Sequence, residues 1–132
     1  MAVEAEVKPM RDIARAHKRI AVVGGPLTGK TTVSREVTDR PVLSTDDTMD
    51  ADWADQPEIA KRRVEGMDAF VLEGVQAARA LRKGLEVDAI VVMETPKGER
   101  TKGQAAMAKG QEKIIADALA MNPGVVVYWE GE

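Results

Sequence analysis

Residues 24–32 read GGPLTGKTT, and Gly24, Gly29, Lys30 and Thr31 fit the spacing G-x-x-x-x-G-K-[ST]. That spacing suits a phosphate chain. Where a strand ends and the backbone curls before a helix, successive amide N–H groups converge on a phosphate-sized space. Glycine is needed where the chain turns sharply or comes close to a ligand. Gly24, Gly25, Pro26, Leu27, Thr28, Gly29, Lys30, Thr31 and Thr32 therefore form the expected nucleotide-binding set. Lys30 can reach the β- and γ-phosphates of a nucleoside triphosphate, and the Thr31 hydroxyl can hold Mg²⁺. A glycine turn with an exposed lysine is the plainer alternative. It does not explain why the apolar stretch IAVV (20–23) runs straight into the loop.

Other groups that can do chemistry follow further apolar stretches: Asp46 and Asp47 after PVLS (41–44), Glu73 after AFVL (69–72) and Glu94 after AIVVM (89–93). In an open α/β sheet, ligands gather at the C-terminal ends of the strands, so these carboxylates can converge on the loop. A carboxylate near the γ-phosphate can take the proton of an attacking hydroxyl or help organise Mg²⁺. The alternative for Ser44, Thr45 and Asp46 is a helix N-cap. Glu73 can hold Mg²⁺ directly or through water, or else be a strand-end glutamate in solvent. Arg79 can bind an acceptor phosphate or pair with Glu73 or Glu86. Arg62 and Arg63 can meet a phosphate or complement a helix end. Trp53 can stack on a base, but cover of a core edge is its expected role.

The elements that position these groups follow from pattern. Five β-favouring stretches occur at 20–23, 41–44, 69–74, 89–94 and 125–129, and segments of helical composition at 30–39, about 56–66, 76–84 and about 99–120 separate them. Met10, Ile13, Ala14 and His17 add a short amphipathic helix, while residues 1–8 read as loose and charged. Strands alternating with helices imply βαβ units, and near-continuous apolar strands imply a parallel sheet covered on both faces. The expected fold is a three-layer αβα sandwich around a central, mostly parallel five-stranded sheet. KGQ occurs at 102–104 and 109–111, on one face of a helix, where a mobile surface helix is the expected reading and a phosphate-facing stripe the alternative.

Composition narrows the class. The 132 residues suit a single nucleotide-binding domain. With no cysteine, thiolate chemistry is excluded, and with His17 as the one histidine a histidine-built zinc site is not expected. A net charge of −3 gives no general pull toward nucleic acid or anionic membrane. No apolar run has the length of a membrane span, and MAVEAEVKPM lacks a signal-peptide core, so a cytoplasmic protein is expected.

On GGPLTGKTT the chain resembles the P-loop NTPase superfamily, and most closely the loops of adenylate-kinase-like and related small-molecule kinases. Leu27 stands where those loops usually carry glycine. Asp46–Asp47 resembles the acidic pair after the second strand in nucleoside kinases and polynucleotide 5′-kinases. That resemblance implies Asp46 as catalytic base, with Asp47 as second choice. VLEG (71–74) resembles the close of the corresponding strand in uridine-kinase-like enzymes. The resemblance further implies a lid at about 95–113, where Lys97, Arg100, Lys102, Lys109 and Lys113 lie, with Arg100 on the transferring phosphate and Lys102 next. A solvated charged helix is the alternative there.

The expected activity is transfer of the γ-phosphate of ATP, or another NTP, with Mg²⁺, to a nucleoside, nucleotide, nucleic-acid 5′ end or other small acceptor. Catalytic roles fall to Lys30, Asp46 and Arg100, metal binding to Thr31 and Glu73, and acceptor binding to Asp47, Arg62, Arg63 and Arg79. A P-loop NTPase working with a partner and a non-catalytic nucleotide-binding module are the alternatives. No membrane partner is expected, nucleic acid enters only as a 5′-end acceptor, and the oligomeric state is not readable.

Overall fold

A computed structural model describes residues 3–5, 10–25, 28–45, 52–93 and 98–129. In chain order the elements are β1 (Val3–Ala5), α1 (Met10–Ala16), β2 (Arg19–Gly24), α2 (Lys30–Ser34), β3 (Val42–Ser44), α3 (Gln56–Val64), β4 (Phe70–Glu73), α4 (Ala77–Arg82), β5 (Ala89–Met93), α5 (Lys102–Ala120) and β6 (Val126–Trp129). The strands form one six-stranded sheet in the order β1-β6-β5-β2-β4-β3. Every pairing is parallel.

The three central strands are the most apolar, and β4 and β5 are buried throughout. Their side chains alternate between two cores. Ala21, Val23, Phe70, Leu72, Ile90, Val92 and Val127 face α3, α4 and α5. Ile20, Val22, Val71, Ala89, Val91 and Met93 pack on the other face with Met10, Ile13 and Ala14 of α1, and with Val33 of α2. This is the three-layer αβα sandwich. A strand with water on one face would need polar residues at every second position, and these carry polar residues only at their ends, Arg19 and Glu73.

Two elements differ from the sequence reading. The sheet has six strands rather than five, because Val3–Ala5, inside the stretch read as loose, pairs in parallel with β6. Three residues are too few to show a period, yet their backbone suffices to cover the open edge of β6. Helix α2 ends at Ser34 rather than near residue 39, with Arg35 as C-cap. Thr31, Thr32 and Val33 are β-branched and Ser34 is a weak helix former, so little holds a longer helix together.

Helix α5 starts at a capping box. Thr101 Oγ1 accepts from Gln104 N at 3.1 Å, and Gln104 Oε1 accepts from Thr101 N at 2.9 Å. The first KGQ thus serves the cap. The second copy places Gln111 beneath the helix, 2% exposed. Equal spacing does not give the copies equal roles. No helix among the described residues is long and apolar enough to cross a membrane.

Side chains tie the ends of the elements together. The Arg40 guanidinium donates to Ala14 O, His17 O and Lys18 O at 2.7, 2.6 and 2.7 Å, satisfying carbonyls where α1 ends. Asp88 joins the N-terminal ends of β2 and β5: its carboxylate accepts from Arg19 N at 2.9 Å and from Arg19 Nη2 at 3.0 Å. Burial pushes the Asp88 carboxyl up, but the bonds and charge of Arg19 outweigh this and hold it below its ordinary value of 3.8. Its stabilisation is therefore complete above pH 3.8 and is lost as pH falls through the lower folded value. Asp88→Asn should lower stability by about 1 kcal/mol at neutral pH. The gap to the wild type should close in strong acid; urea unfolding at neutral pH and at about pH 2.5 measures both.

Candidate functional site

The parallel register brings the strand ends to one edge. Ser44 lies beside Glu73 and Glu73 beside Val22, while Gly24 lies beside Met93 and Val92 beside Trp129. From β2 the chain crosses to β3 at one edge, returns to β4, then passes to β5 on the other side of β2. The end of β2 is thus a topological switch point, where a crevice for ligand forms. GGPLTGKTT begins there.

The described part of the loop has the build expected of a phosphate cradle. A Cβ on Gly24 would collide with Met93 O, so only glycine lets the chain leave the sheet there. Gly29 has φ 85°, the left-handed region, immediately before α2. Thr28 Oγ1 donates to Gly25 O at 2.9 Å. Lys30 is 8% exposed. Its Nζ curls back over the loop and donates to Gly25 O at 2.5 Å and to Thr28 Oγ1 at 3.3 Å. A buried ammonium seated on the loop excludes the exposed-lysine alternative. Pro26 and Leu27 lie outside the described residues.

Glu73 is 2% exposed, which excludes the solvent-facing alternative. The Thr31 hydroxyl donates to Glu73 Oε1 at 3.1 Å. Among the described residues no ion pair takes Glu73. Nor do three or more His, Cys, Asp or Glu side chains cluster as a complete protein-built metal cage. A buried carboxylate beside a hydroxyl is an oxygen-only donor pair. It fits Mg²⁺, which takes one or two protein oxygens and completes its shell with phosphate and water.

On the β3–β4 side, Arg63 Nη1 donates to Ser44 O at 3.1 Å. The Arg79 guanidinium lies over the Trp53 ring, 5.2 Å from its centroid. Trp53 is 44% exposed, so it does not cover a core edge; it backs an arginine. Arg79 makes no ion pair with Glu73 or Glu86, and Glu86 pairs with Arg19 instead. Arg62 turns outward to Glu58 at 3.5 Å, so of the two adjacent arginines only Arg63 faces the strand ends. Beneath them lies a buried polar group that residue pattern did not reveal. Gln76 Nε2 donates to Gln56 Oε1 at 3.1 Å, and Gln76 N to Thr45 Oγ1 at 3.4 Å. Its one signal is two glutamines in stretches that otherwise bury apolar residues. Thr45 is buried in this group. Asp46, Asp47, Glu94 and Lys97 lie outside the described residues.

On the β5–β6 side, the start of α5 meets the loop. A Cβ on Gly25 would stand 3.0 Å from Ala108 Cβ and 3.2 Å from Arg100 Nη2. Arg100 is therefore beside the loop. Lys102, Lys109 and Lys113 are exposed on α5.

No family model matches the chain, and no curated protein matches it. Among solved structures it is similar to shikimate kinase from Acinetobacter baumannii in complex with shikimate. The TM-score is 0.54 at 17% identity, over 94% of this chain and 88% of that one. The likeness assigns the fold: the chain has the α/β architecture of the small P-loop kinases.

Glu73→Gln keeps the bond from Thr31 and removes the charge. The variant without ligand should melt at the same or a higher temperature, because an unpaired buried charge is gone. The extra thermal stabilisation by ATP with Mg²⁺ over ATP with chelator should be lost; melting curves in the two conditions measure it.

Proposed function

We propose that the protein is an ATP- and Mg²⁺-dependent phosphotransferase acting on a small acceptor. The observation that carries this reading is the Thr31–Glu73 contact beside Lys30 seated on the loop. A lysine, a hydroxyl and an acid around one glycine-rich turn are the three side-chain types that triphosphate and Mg²⁺ need.

In this reading the loop amides of residues 24–32 and Lys30 bind the triphosphate, and Thr31 and Glu73 hold Mg²⁺. Bound Mg²⁺ offsets negative charge on the phosphate oxygens. Asp46, with Asp47 as second choice, takes the proton of the acceptor hydroxyl. That oxygen bonds to the γ-phosphorus as the bond to the β–γ bridging oxygen breaks, and ADP leaves. Arg100 stabilises the charge in flight. Arg63 and Arg79 orient the acceptor, while Arg62 takes no part. The acceptor is a nucleoside, a nucleotide, a nucleic-acid 5′ end or another small hydroxyl or phosphate compound. The solved neighbour's complex with shikimate favours the small-molecule end of that range. The reading treats the chain as one nucleotide-binding domain of the cytoplasm.

The test is ADP release from Mg·ATP across nucleosides, nucleotides, small hydroxy acids and 5′-hydroxyl oligonucleotides. One acceptor class should stimulate release, and Lys30→Ala should reduce both binding and turnover about a hundredfold or more. Unchanged nucleotide affinity in Lys30→Ala would sink the loop reading. A flat panel with intact ATP binding would turn the assignment to a partner-dependent NTPase or a binding module. Asp46→Asn should keep ATP affinity and lose about 10²–10⁴-fold in transfer rate; retained transfer moves the base to Asp47 or removes it.

A further inference from the structure

Next to the loop, on the face of the sheet opposite α2, helix α5 leaves a cavity of about 170 Å³ against the ends of β5 and β6. Val92, Ile115 and Leu119 give it apolar walls, and Gly25 and Arg100 line it from the loop. Gln111 and Trp129 line it too. Gln111 Oε1 and Trp129 Nε1 are both buried, and neither meets a hydrogen-bond partner among the described residues. Native proteins keep few such atoms, and each asks for a reason. Packing does not supply one, since methionine would fill the place of Gln111 with no unmet acceptor.

The two atoms are complementary in kind. An indole N–H only donates and an amide oxygen only accepts. A ligand edge carrying one acceptor and one donor answers both. The apolar walls suit a flat ring, and apolar cavities of about 150 Å³ admit benzene. A nucleobase combines the flat ring with that edge, and its phosphates would lie toward Gly25, where the loop begins.

We propose that this cavity receives the base of the bound nucleotide, with Trp129 Nε1 donating to a ring nitrogen or carbonyl and Gln111 Oε1 accepting from an amino group or ring N–H. The proposal rests on the phosphate-loop reading and adds the part of the nucleotide that the loop does not touch. Gln111 and Trp129 then set base affinity, and Lys30 sets phosphate affinity.

The test separates the two. Calorimetric affinities for Mg·ATP, Mg·GTP and Mg·tripolyphosphate are measured on wild type, Gln111→Met, Trp129→Phe and Lys30→Ala. Wild type should bind at least one nucleotide about tenfold or more tighter than tripolyphosphate. Gln111→Met and Trp129→Phe should each reduce that preference about five- to tenfold while leaving tripolyphosphate affinity unchanged. Gln111→Met should melt at the same or a higher temperature, which shows that its fold is intact. Trp53→Phe leaves Trp129 as the sole tryptophan of the two in the chain. In that background nucleotide, but not tripolyphosphate, should change the indole fluorescence. Equal binding of nucleotides and tripolyphosphate, or unchanged nucleotide affinity in both cavity variants while Lys30→Ala still weakens every ligand, overturns the base slot and leaves the loop standing. Indifference of every ligand to Lys30→Ala overturns both.

Discussion

The site depends on the register between β2 and β4. The ladder sets Val22 beside Glu73, and the alternation of β4 sends Val71 to one core and Phe70 and Leu72 to the other. Glu73 must then point to the face of Val71, which is the face that carries α2 and Thr31. A slip of one residue would turn Glu73 toward α3 and α4 and bury Val71 among the wrong partners. Burial of three apolar side chains thus aims one carboxylate. The hydrophobic effect supplies the energy, and the period of two supplies the direction.

The loop is held from above as well as below. Below, Gly24 passes so close to Met93 O that no side chain fits. Above, Gly25 lies against Ala108 and Arg100, which brings α5 close to the backbone of the loop. The residue types at 25 and 108 are therefore coupled: a larger side chain at either one displaces α5, and with it Arg100 and Gln111. This gives α5 a mechanical link to the loop that its exposed lysines do not provide.

What could be read from sequence was whatever a local pattern encodes. The runs IAVV, AFVL and AIVVM are unbroken apolar β-formers, and each is a strand. Gly24, Gly29, Lys30 and Thr31 carry their spacing on their face, and Glu73 follows a buried run. What could not be read depends on neighbours distant in the chain. Val3–Ala5 is a strand because β6 offers an edge. Trp53, in the turn before α3, is half in solvent because Arg79 of α4 supplies a cation to stack on. Arg62 and Arg63 are adjacent in sequence, yet helical geometry sends one to Glu58 and the other to Ser44. Gln111 lies in a repeat whose first copy is spent on a helix cap.

The unmet polar atoms show where the protein is incomplete by itself. Among the described residues five buried side-chain atoms lack a partner: Ser34 Oγ, Gln76 Oε1, Arg79 Nε, Gln111 Oε1 and Trp129 Nε1. Gln76 and Arg79 belong to the β3–β4 side of the loop, and Gln111 and Trp129 to the β5–β6 side. A stability optimum would place them at random or remove them, since each costs about 1–3 kcal/mol unmet. Instead four of the five flank the glycine-rich loop in two groups, one beside an arginine stacked on an aromatic ring and one in an apolar slot, while Ser34 lies at the end of α2. The proposed reaction would use that division, with the acceptor on the polar side and the base of the donor on the apolar side. Under the proposed reading, the folding energy withheld at these atoms would return as binding energy when a ligand meets them.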